Sequence, residues 1–533
     1  MISKMFTLLT NNYAMLKSFF TKSLHSIISA YFGISLSMLC ICCSKNEVEA
    51  IQTGYSSEKD KEHYDSVYNA IYNLYVVSND TTIYNLQDYD CPLTSEEEQV
   101  CMSLNEYAVK MLSDYNSTNS ENTLLSPFNA SILYSLMANF TDEKKKDNPF
   151  KESMGIASAK NETINSLFRK FINQKDQSSK QNENEEQMSF ASTLWMNKKS
   201  AVYKSFLSTT KYYGFGVKGI DLDQESNIDL INSYVHSKIG SNDAEISKSS
   251  IEKSKPLVTS SMSFKGEWAE NFYVDSAQTN LFANSNGSKT LCKILRTVRK
   301  ERYSRFDTFD MIEIPYKGGT YSMYFLLPHT VDGLSNSLKE LNTQGVVRCM
   351  DLVSDTTRTF HGVYPIQRDT TTSNGTFTVV DTLITDTIFD IRIPKFKLCT
   401  STGLNPNNIA GNSSTKLMFQ TNLPKISPNG YMLSNVFQSC SLEINEQSTS
   451  ASSGGSIIVT GTQLTFSGNP YILRDYSKFP ELLEEIGETT PQGRIIKETV
   501  IVPFHVSYPF AVFIREKEIG TIPFACSIKT LDF

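Results

Sequence analysis

Residues 446–460 are Glu446-Gln447-Ser448-Thr449-Ser450-Ala451-Ser452-Ser453-Gly454-Gly455-Ser456-Ile457-Ile458-Val459-Thr460. A run of small side chains is followed here by four β-branched residues. A flexible serine- and glycine-rich linker is the simplest interpretation of the small run. Linkers rarely lead directly into β-branched residues, however, and a strand that slides between two neighbours needs small side chains on its leading part. The stretch therefore predicts a loop that is able to become a strand.

The composition of the chain excludes several classes of protein. Its 533 residues are 40% hydrophobic and 20% charged, which excludes disordered and collagen-like proteins and allows a large core. The 50 basic residues are outnumbered by 57 acidic ones, so we expect no nucleic-acid partner. Ten scattered cysteines do not indicate a disulfide scaffold, and six histidines leave little for a metal site. We expect neither a metal nor a cofactor.

The sequence lacks the patterns that mark catalytic sites. Gly214-Phe215-Gly216-Val217-Lys218-Gly219 has the spacing of a dinucleotide fingerprint, but it follows a helical stretch and precedes a strand-like one, the reverse of the required order. No nucleophile elbow, zinc-protease pair or Walker loop is present. His236, His329 and His505 stand alone among apolar neighbours and are interpreted as structural residues. We expect that the protein is not an enzyme.

The first 43 residues have the architecture of an export signal. They contain Lys4, Lys17 and Lys22, no carboxylate, and an apolar run from Ile27 to Cys43. The run is also long enough to be considered as a retained membrane anchor. It ends in cysteine followed by Ser-Lys-Asn, which resembles a bacterial lipoprotein signal cleaved before an acylated Cys43, or alternatively Cys42. This resemblance implies an exported protein that is lipid-anchored in the bacterial cell envelope.

The remainder of the chain divides into a polar tether and one large domain. Residues 44–93 show no sustained period and are interpreted as the tether. A capping pattern at Thr94-Ser95 with Glu97 predicts the start of a helix, and residues 122–140 are predicted to form a second helix, capped around Ser126-Pro127. Residues 94–533 are then a single domain, with insertions near 142–187, 351–386 and 463–498. The first insertion is expected to be mostly solvated loop, with one amphipathic piece near Ile164–Ile172.

Helical and strand-like patterns are mixed along the domain. Strands are predicted for the runs 257–264, 311–315, 322–327, 391–396, 500–504 and 510–514. Since strands and helices do not alternate strictly, the pattern favours an α+β domain.

Six further motifs, in order along residues 97–533, carry a family resemblance. They are Leu124-Leu125-Ser126-Pro127-Phe128-Asn129-Ala130-Ser131-Ile132; Tyr213-Gly214 with Asp221, Ile231-Asn232 and Tyr234-Val235; Phe264-Lys265-Gly266-Glu267-Trp268 with Phe272; Ile314-Pro315-Tyr316-Lys317-Gly318 with Leu327-Pro328; Ile393-Pro394-Lys395-Phe396; and Tyr508-Pro509-Phe510 through Ile514-Arg515 to Gly520-Thr521-Ile522-Pro523-Phe524. In this order they resemble the signature motifs of the serpins. The resemblance implies a large central mixed β-sheet, two further sheets, about eight to nine helices and an exposed reactive loop.

The resemblance also implies an activity. Serpins present the reactive loop to a serine or cysteine protease, which cleaves it and forms an acyl-enzyme; the cut loop then inserts into the central sheet and traps the enzyme. A monomer with a target protease as its partner is expected. The implied hinge residues are Glu446, Ser448, Thr449, Ala451, Ser452, Ser453 and Gly454, and the residues implied for the shutter and breach of the central sheet are Ser126, Asn129, Ser131, Trp268 and Gln438. Ser448 replaces the usual glycine, and Gln438 stands where many members have histidine.

Two counts place the scissile bond differently. Glu446 is matched to the seventeenth residue before the bond, which gives Thr462–Gln463, whereas counting back from Pro509 gives a position near Lys497. The tether from hinge to protease must be short for the enzyme to be distorted, so slack is tolerated only after the cut. We therefore favour Thr462–Gln463 over Arg474, Lys478, Arg494 and Lys497. The alternative hypothesis is a non-inhibitory surface lipoprotein with a serpin fold that binds a partner or ligand through its insertions.

Overall fold

The computed structural model describes residues 74–76, 92–142, 147–181, 186–198, 200–239, 246, 248, 256–274, 280–354, 362–372, 375–404, 413–433, 435–446, 448–450 and 495–531. The chain divides into two units, Met1–Val76 and Val77–Phe533. Strand β1 (Leu74–Val76) is the described part of the first unit.

The helices of the second unit cover much of its first half. In the described ranges they are α1 (Ser95–Thr118), α2 (Pro127–Ala138), α3 (Pro149–Ser153), α4 (Asn161–Gln181), α5 (Lys204–Tyr212), α6 (Ser226–Ile239), α7 (Leu334–Gln344), α8 (Val346–Ser354) and α9 (Ser413–Gln420). None of these described helices is long and apolar enough to cross a membrane.

The strands continue to the end of the described chain. They are β2 (Thr123–Leu125), β3 (Glu186–Asn197), β4 (Ala201–Tyr203), β5 (Phe215–Ile220), β6 (Leu257–Glu267), β7 (Tyr273–Val274), β8 (Asn280–Ala283), β9 (Lys289–Cys292), β10 (Ile294–Arg299), β11 (Arg302–Arg305), β12 (Phe309–Pro315), β13 (Tyr321–Pro328), β14 (Gly362–Thr372), β15 (Gly375–Pro394), β16 (Phe396–Gly403), β17 (Asn435–Ile444), β18 (Ser448–Ser450), β19 (Ile495–His505), β20 (Phe510–Glu516) and β21 (Phe524–Ile528).

Three sheets contain most of these strands, and β8 and β9 form a separate antiparallel pair. The central sheet has the order β16-β17-β18-β6-β3-β5 and mixes parallel with antiparallel pairs. A second six-stranded sheet, β11-β12-β13-β20-β21-β2, is antiparallel. The third sheet has the order β14-β15-β10-β7, with β19 parallel to β15. With the helices, these sheets confirm the predicted α+β architecture and its large central mixed sheet. Five of the six predicted strand runs lie within strands, and the run 391–396 spans the end of β15 and the start of β16, with Lys395 between them.

Helix α2 lies in the core of the domain. All twelve of its residues are buried, as expected for a mainly apolar helix that has no charged face. The prediction that the helix covers residues 122–140 was wrong at its start, because Thr123–Leu125 pairs with β21 as strand β2. Pro127 occupies the first turn, where its fixed φ suits a helix. Its ring also sterically disfavours a helical backbone at the preceding residue, Ser126. Strand therefore changes directly into helix at Ser126.

Two segments interpreted as insertions contain regular structure. Residues 142–187 were expected to be mostly loop, but α3 and α4 lie there, and Leu167, Phe168 and Phe171 of α4 are fully buried. The prediction failed because the solvated face of an amphipathic helix has the composition of a loop. Residues 351–386 include the hairpin of β14 and β15, which pair in continuous register from Gly362↔Thr385 to Thr372↔Gly375. Its threonine-rich sequence suits a strand.

The capping signal at the start of α1 is confirmed. The Thr94 hydroxyl accepts a hydrogen bond from the Glu97 backbone at 3.3 Å, and the Glu97 carboxylate accepts one from the Thr94 backbone at 2.7 Å. Glu97 also pairs with Lys170 of α4 at 2.6 Å, with both side chains buried. The capping box thus ties α1 to α4 as well as starting the helix.

Candidate functional site

The central sheet is forked between β17 and β6. At one end these strands pair directly and in parallel, from Asn435↔Leu257 to Cys440↔Met262. At the other end β18 lies between them, antiparallel to both, with Thr449 opposite Ile444 on β17 and opposite Gly266 on β6. The leading residues of the small-residue stretch therefore already occupy a strand position in the sheet.

The register of β18 defines where the following residues would pair. Ser448 lies opposite Glu267 and Thr449 opposite Gly266, so each further residue would advance by one position along β6. Continued in this way, Ile458 reaches the level of Leu257, the first residue of β6. Full occupancy requires the direct pairs between β17 and β6 to separate. Ala451, Ser452, Ser453 and Gly454 lie outside the described residues.

The chain that enters β18 is anchored by two backbone hydrogen bonds. The Trp268 indole nitrogen donates to the Asn445 carbonyl at 3.0 Å, and the Phe272 amide donates to the Glu446 carbonyl at 2.9 Å. Trp268 is itself buried, stacked on Tyr316 with ring centroids 4.8 Å apart and in edge contact with Phe272. This aromatic cluster fixes the position from which the loop departs.

The Glu446 side chain adds an ion pair to this anchor. Lys395 donates to both Glu446 carboxylate oxygens at 3.0 Å, and both side chains are about one-third exposed. Burial acts to raise the pKa of Glu446, but hydrogen bonds from the backbone and from Lys395 hold it below its usual value. Glu446 is therefore held as a carboxylate beside the hinge.

Gln438 closes the opposite part of the fork. Its Oε1 accepts a hydrogen bond from the Ser126 amide at 2.7 Å, and its Nε2 donates to the Ser126 carbonyl at 2.6 Å. Both residues are fully buried, and the Ser126 hydroxyl contacts Met262 Sδ at 2.9 Å. Ser126 thereby connects the start of α2 to β17 and β6, next to the register where these two strands pair directly.

The other two predicted residues of α2 have different roles. Asn129 Oδ1 accepts a hydrogen bond from the Ser192 hydroxyl of β3 at 3.2 Å, while its buried Nδ2 has no hydrogen-bond partner in the described part of the chain. Ser131 donates to the Pro127 carbonyl of its own helix at 2.9 Å. Asn129 contacts the central sheet, whereas the hydrogen bond of the Ser131 hydroxyl stays within the helix.

Most of the predicted cleavage positions lie outside the described residues. Thr462, Gln463, Arg474, Lys478 and Arg494 lie outside the described residues, as do Cys42 and Cys43. Lys497 is in β19, where its backbone lies opposite Ile384 in the third sheet.

The remaining sequence candidates have structural surroundings. His329 and His505 each contact an aspartate, Asp310 at 3.1 Å and Asp390 at 3.2 Å respectively. Within the described ranges, no group of three or more histidine, cysteine or acidic side chains could hold a metal ion. Gly214 has φ 69° and connects α5 to β5, so its glycine-rich segment runs from helix to strand, as expected from the sequence.

Sequence reasoning missed two residues that hold the hinge, Lys395 and Asn445. Lys395 was visible within Ile393-Pro394-Lys395-Phe396, directly before β16, but its partner Glu446 is 51 residues away. Asn445 acts through its backbone carbonyl, which no side-chain pattern reveals.

Comparison with known proteins agrees with this architecture. A family model described as serpin (serine protease inhibitor) matches residues 102–364. A serine protease inhibitor of Cyanea capillata is 22% identical over 291 residues, which are 53% of this chain and 68% of that protein. An uncharacterized serpin-like protein of Methanosarcina acetivorans is 31% identical over 140 residues, which are 25% of this chain and 33% of that protein. Human serpin B11 is 26% identical over 284 residues, covering 51% and 65%.

Solved structures give the same fold. AtSerpin1 of Arabidopsis, in its native stressed conformation, matches with a TM-score of 0.59 and 18% identity, over 82% of this chain and 98% of that one. The thermophilic serpin tengpin, in its native state, matches with a TM-score of 0.58 and 16% identity, over 85% and 100%. The motifs, the forked central sheet and these matches agree, and the chain belongs to the serpin family.

Proposed function

We propose that this protein inhibits a serine or cysteine endopeptidase as a suicide substrate. The protease cleaves the loop that follows β18, an acyl-enzyme forms, and the cut loop enters the central sheet as a full strand. The observation that carries the proposal is the fork: β18 occupies one end of the gap while β17 and β6 still pair directly at the other. Such a sheet has room for insertion that is not yet complete.

The energetics of insertion favour trapping. A strand that grows from Thr449 to the level of Leu257 gains about ten ladder hydrogen bonds at roughly 0.5–1.5 kcal/mol each, or on the order of ten kcal/mol. The entering side chains are uncharged, small as far as Ser456 and apolar at Ile457 and Ile458, so their burial carries little desolvation cost. Before cleavage this free energy is held back by the hydrogen bonds between Gln438 and Ser126 and by the direct β17–β6 ladder.

We propose Thr462–Gln463 as the bond that is cut. A protease attached at Thr462 is drawn along the sheet because only a few residues separate it from Ile458, the last residue level with β6. Lys497 is paired with Ile384 in a sheet, which makes its backbone a poor protease substrate and supports a cut nearer the hinge. The additional residues between Gln463 and β19 then lie on the released side of the bond.

The experiment is incubation of the protein with elastase-, trypsin- and papain-like proteases. The proposal predicts a covalent complex that survives boiling in detergent, together with a released C-terminal fragment that begins at Gln463. Mass spectrometry of that fragment identifies the bond. Recovery of fully active enzyme after every cleavage would refute the proposal.

We also propose export and lipid anchoring at Cys43. The support is the sequence of residues 1–43, with its lysines, its apolar run and its terminal cysteine. In a bacterial host, metabolic labelling with an alkynyl fatty acid should mark the wild-type protein and not Cys43→Ala. Label retained in that variant but lost in Cys42→Ala would move the anchor by one residue, and label absent from the wild type would exclude it.

A further inference from the structure

A buried ion pair contacts Phe272, the residue whose amide holds the Glu446 carbonyl at the entry to β18. Arg299, the last residue of β10, donates from Nε to the Glu301 carboxylate at 2.6 Å, and the side chains of both residues are only 8% exposed. Nothing in the proposed trapping mechanism uses this pair. Two buried ionic groups close to the moving part of an inhibitor therefore require an explanation.

Contacts lead from this pair to the hinge. Arg299 Nη1 donates to the Glu270 carbonyl at 2.7 Å, and its guanidinium lies over the Phe272 ring, 5.1 Å from the centroid. Phe272 in turn donates its amide to the Glu446 carbonyl and contacts the Trp268 ring. Arg299 thus fixes the segment that supplies one of the two backbone hydrogen bonds holding the entry to β18.

We propose that Arg299 is a positioning residue for the hinge, and that the proton on Glu301 sets how readily the hinge is released. Arg299 acts through Phe272 and does not touch the loop itself. This inference rests on the proposed function, since it concerns the opening of the same gap between β17 and β6.

The charges around Glu301 determine the direction of the pH effect. Burial raises the pKa of Glu301 to about 7, the charge of Arg299 opposes this, and Glu270 and Glu313 raise it further. Glu313 is itself buried and pairs with Arg302 at 3.3 Å and Lys517 at 3.0 Å, while Arg299 Nη1 is 3.9 Å from the Glu270 carboxylate. Desolvation therefore outweighs the attraction of Arg299 for a Glu301 carboxylate.

The sign follows from linkage. A carboxyl whose pKa is raised in the closed state stabilises that state fully below its ordinary value of 4.5, and this stabilisation is lost as the pH rises through about 7. If the released hinge hydrates Glu301, opening becomes faster with rising pH across this window, by at most about tenfold per pH unit, and levels off above it.

The test measures opening without a protease. The probe is a synthetic peptide with the sequence of Ser448–Ile458, and the readout is its rate of incorporation into the full chain, followed by native mass spectrometry at pH 5.5 and 7.5. We expect uptake to be at least about fivefold faster at pH 7.5. Glu301→Gln keeps an acceptor for Arg299 and should make the two rates equal. Arg299→Lys is the second variant, and it should increase uptake at both pH values and flatten the profile.

The matched control is Glu267→Gln, at the end of β6 that lies opposite Ser448. Glu267 pairs with Lys317 at 3.6 Å, and both side chains are about half exposed, so solvent screens the pair. This variant should keep the pH dependence of the wild type. Equal wild-type rates at the two pH values, or an undiminished pH dependence in Glu301→Gln, would overturn the role of Arg299 and Glu301 and leave the proposed inhibitory function standing. Peptide uptake at neither pH would overturn the proposed function as well.

Discussion

The Gln438 side chain binds both backbone polar groups of Ser126, through hydrogen bonds of 2.7 and 2.6 Å. A carboxamide can serve both because it carries an acceptor and a donor in one plane. The sequence departs from the serpin pattern at Gln438, where many members have histidine. The observed geometry is nevertheless complete, since the amide and the carbonyl of Ser126 each have a partner.

Removing this side chain should loosen the closed end of the fork. Gln438→Ala removes the acceptor of the buried Ser126 N–H, at a cost of about 1–3 kcal/mol, whereas the Ser126 carbonyl keeps the hydrogen bond that the Ala130 amide donates at 3.1 Å. We expect a lower thermal midpoint for the uncleaved protein and faster uptake of the loop peptide. Gln420→Ala, at an exposed position at the end of α9, is the control and should change neither. An unchanged midpoint in Gln438→Ala would show that other contacts close the sheet.

The pair of Glu446 and Lys395 should contribute modestly. Because both side chains are about one-third exposed, a double-mutant cycle with Glu446→Ala and Lys395→Ala should give a coupling of at most about 1 kcal/mol, smaller at high salt. The pKa of Glu446 is lowered by its backbone and Lys395 hydrogen bonds despite burial, so this stabilisation is present above the usual carboxyl pKa and lost as the pH falls through the folded value. A coupling that grows on acidification would contradict this assignment.

A charge at Thr449 should convert the inhibitor into a substrate. Thr449 lies between β17 and β6, and by the implied hinge match its side chain is the first to be buried, so Thr449→Arg carries a burial cost of several kcal/mol. We expect cleavage at an unchanged rate with a much larger number of molecules consumed per enzyme inactivated. Ser450→Arg is the control, because successive residues of a strand face opposite sides of the sheet, so the hinge match that buries Thr449 assigns this position to the other face. Equal trapping by both variants would mean that the loop does not insert.

Trapping should be insensitive to the length of the loop after the scissile bond and sensitive to its length before the bond. Deleting residues 466–490 removes only slack beyond Thr462, and we expect the variant to trap protease as the wild type does. Inserting 25 residues of glycine and serine between Ser456 and Ile457 lengthens the tether before the cut, and enzyme should then escape. The measurement is the fraction of protease recovered active. If the insertion variant still traps, the enzyme is not held by a short tether.

The sequence predicted the architecture where its signals were local. The capping pattern at Thr94 and the strand-like runs within β12, β13 and β20 were visible because neighbouring residues determine them. The helix at residues 161–181 was predicted only in part: the amphipathic piece near Ile164–Ile172 was visible, but the polar residues that continue it have the composition of a loop. Strand β2 was missed because its partner β21 lies some 400 residues away.

The candidate site was predicted in part for the same reason. Trp268, Gln438 and Glu446 were identified through the family resemblance, and the structure places Trp268 and Glu446 at the entry to β18 and Gln438 at the closed end of the fork. The roles of Phe272, Arg299 and Asn445 depend on which backbone groups approach one another in space. Such contacts join segments separated by 29 to 177 positions, and no pattern within either segment specifies them.

The most direct test of the account is the mass of the product formed with a serine protease. Suicide trapping predicts a detergent-stable species whose mass is that of the protease plus this chain ending at Thr462, alongside a free fragment that begins at Gln463. Two fragments of this chain accompanied by fully active, unmodified protease would contradict the account.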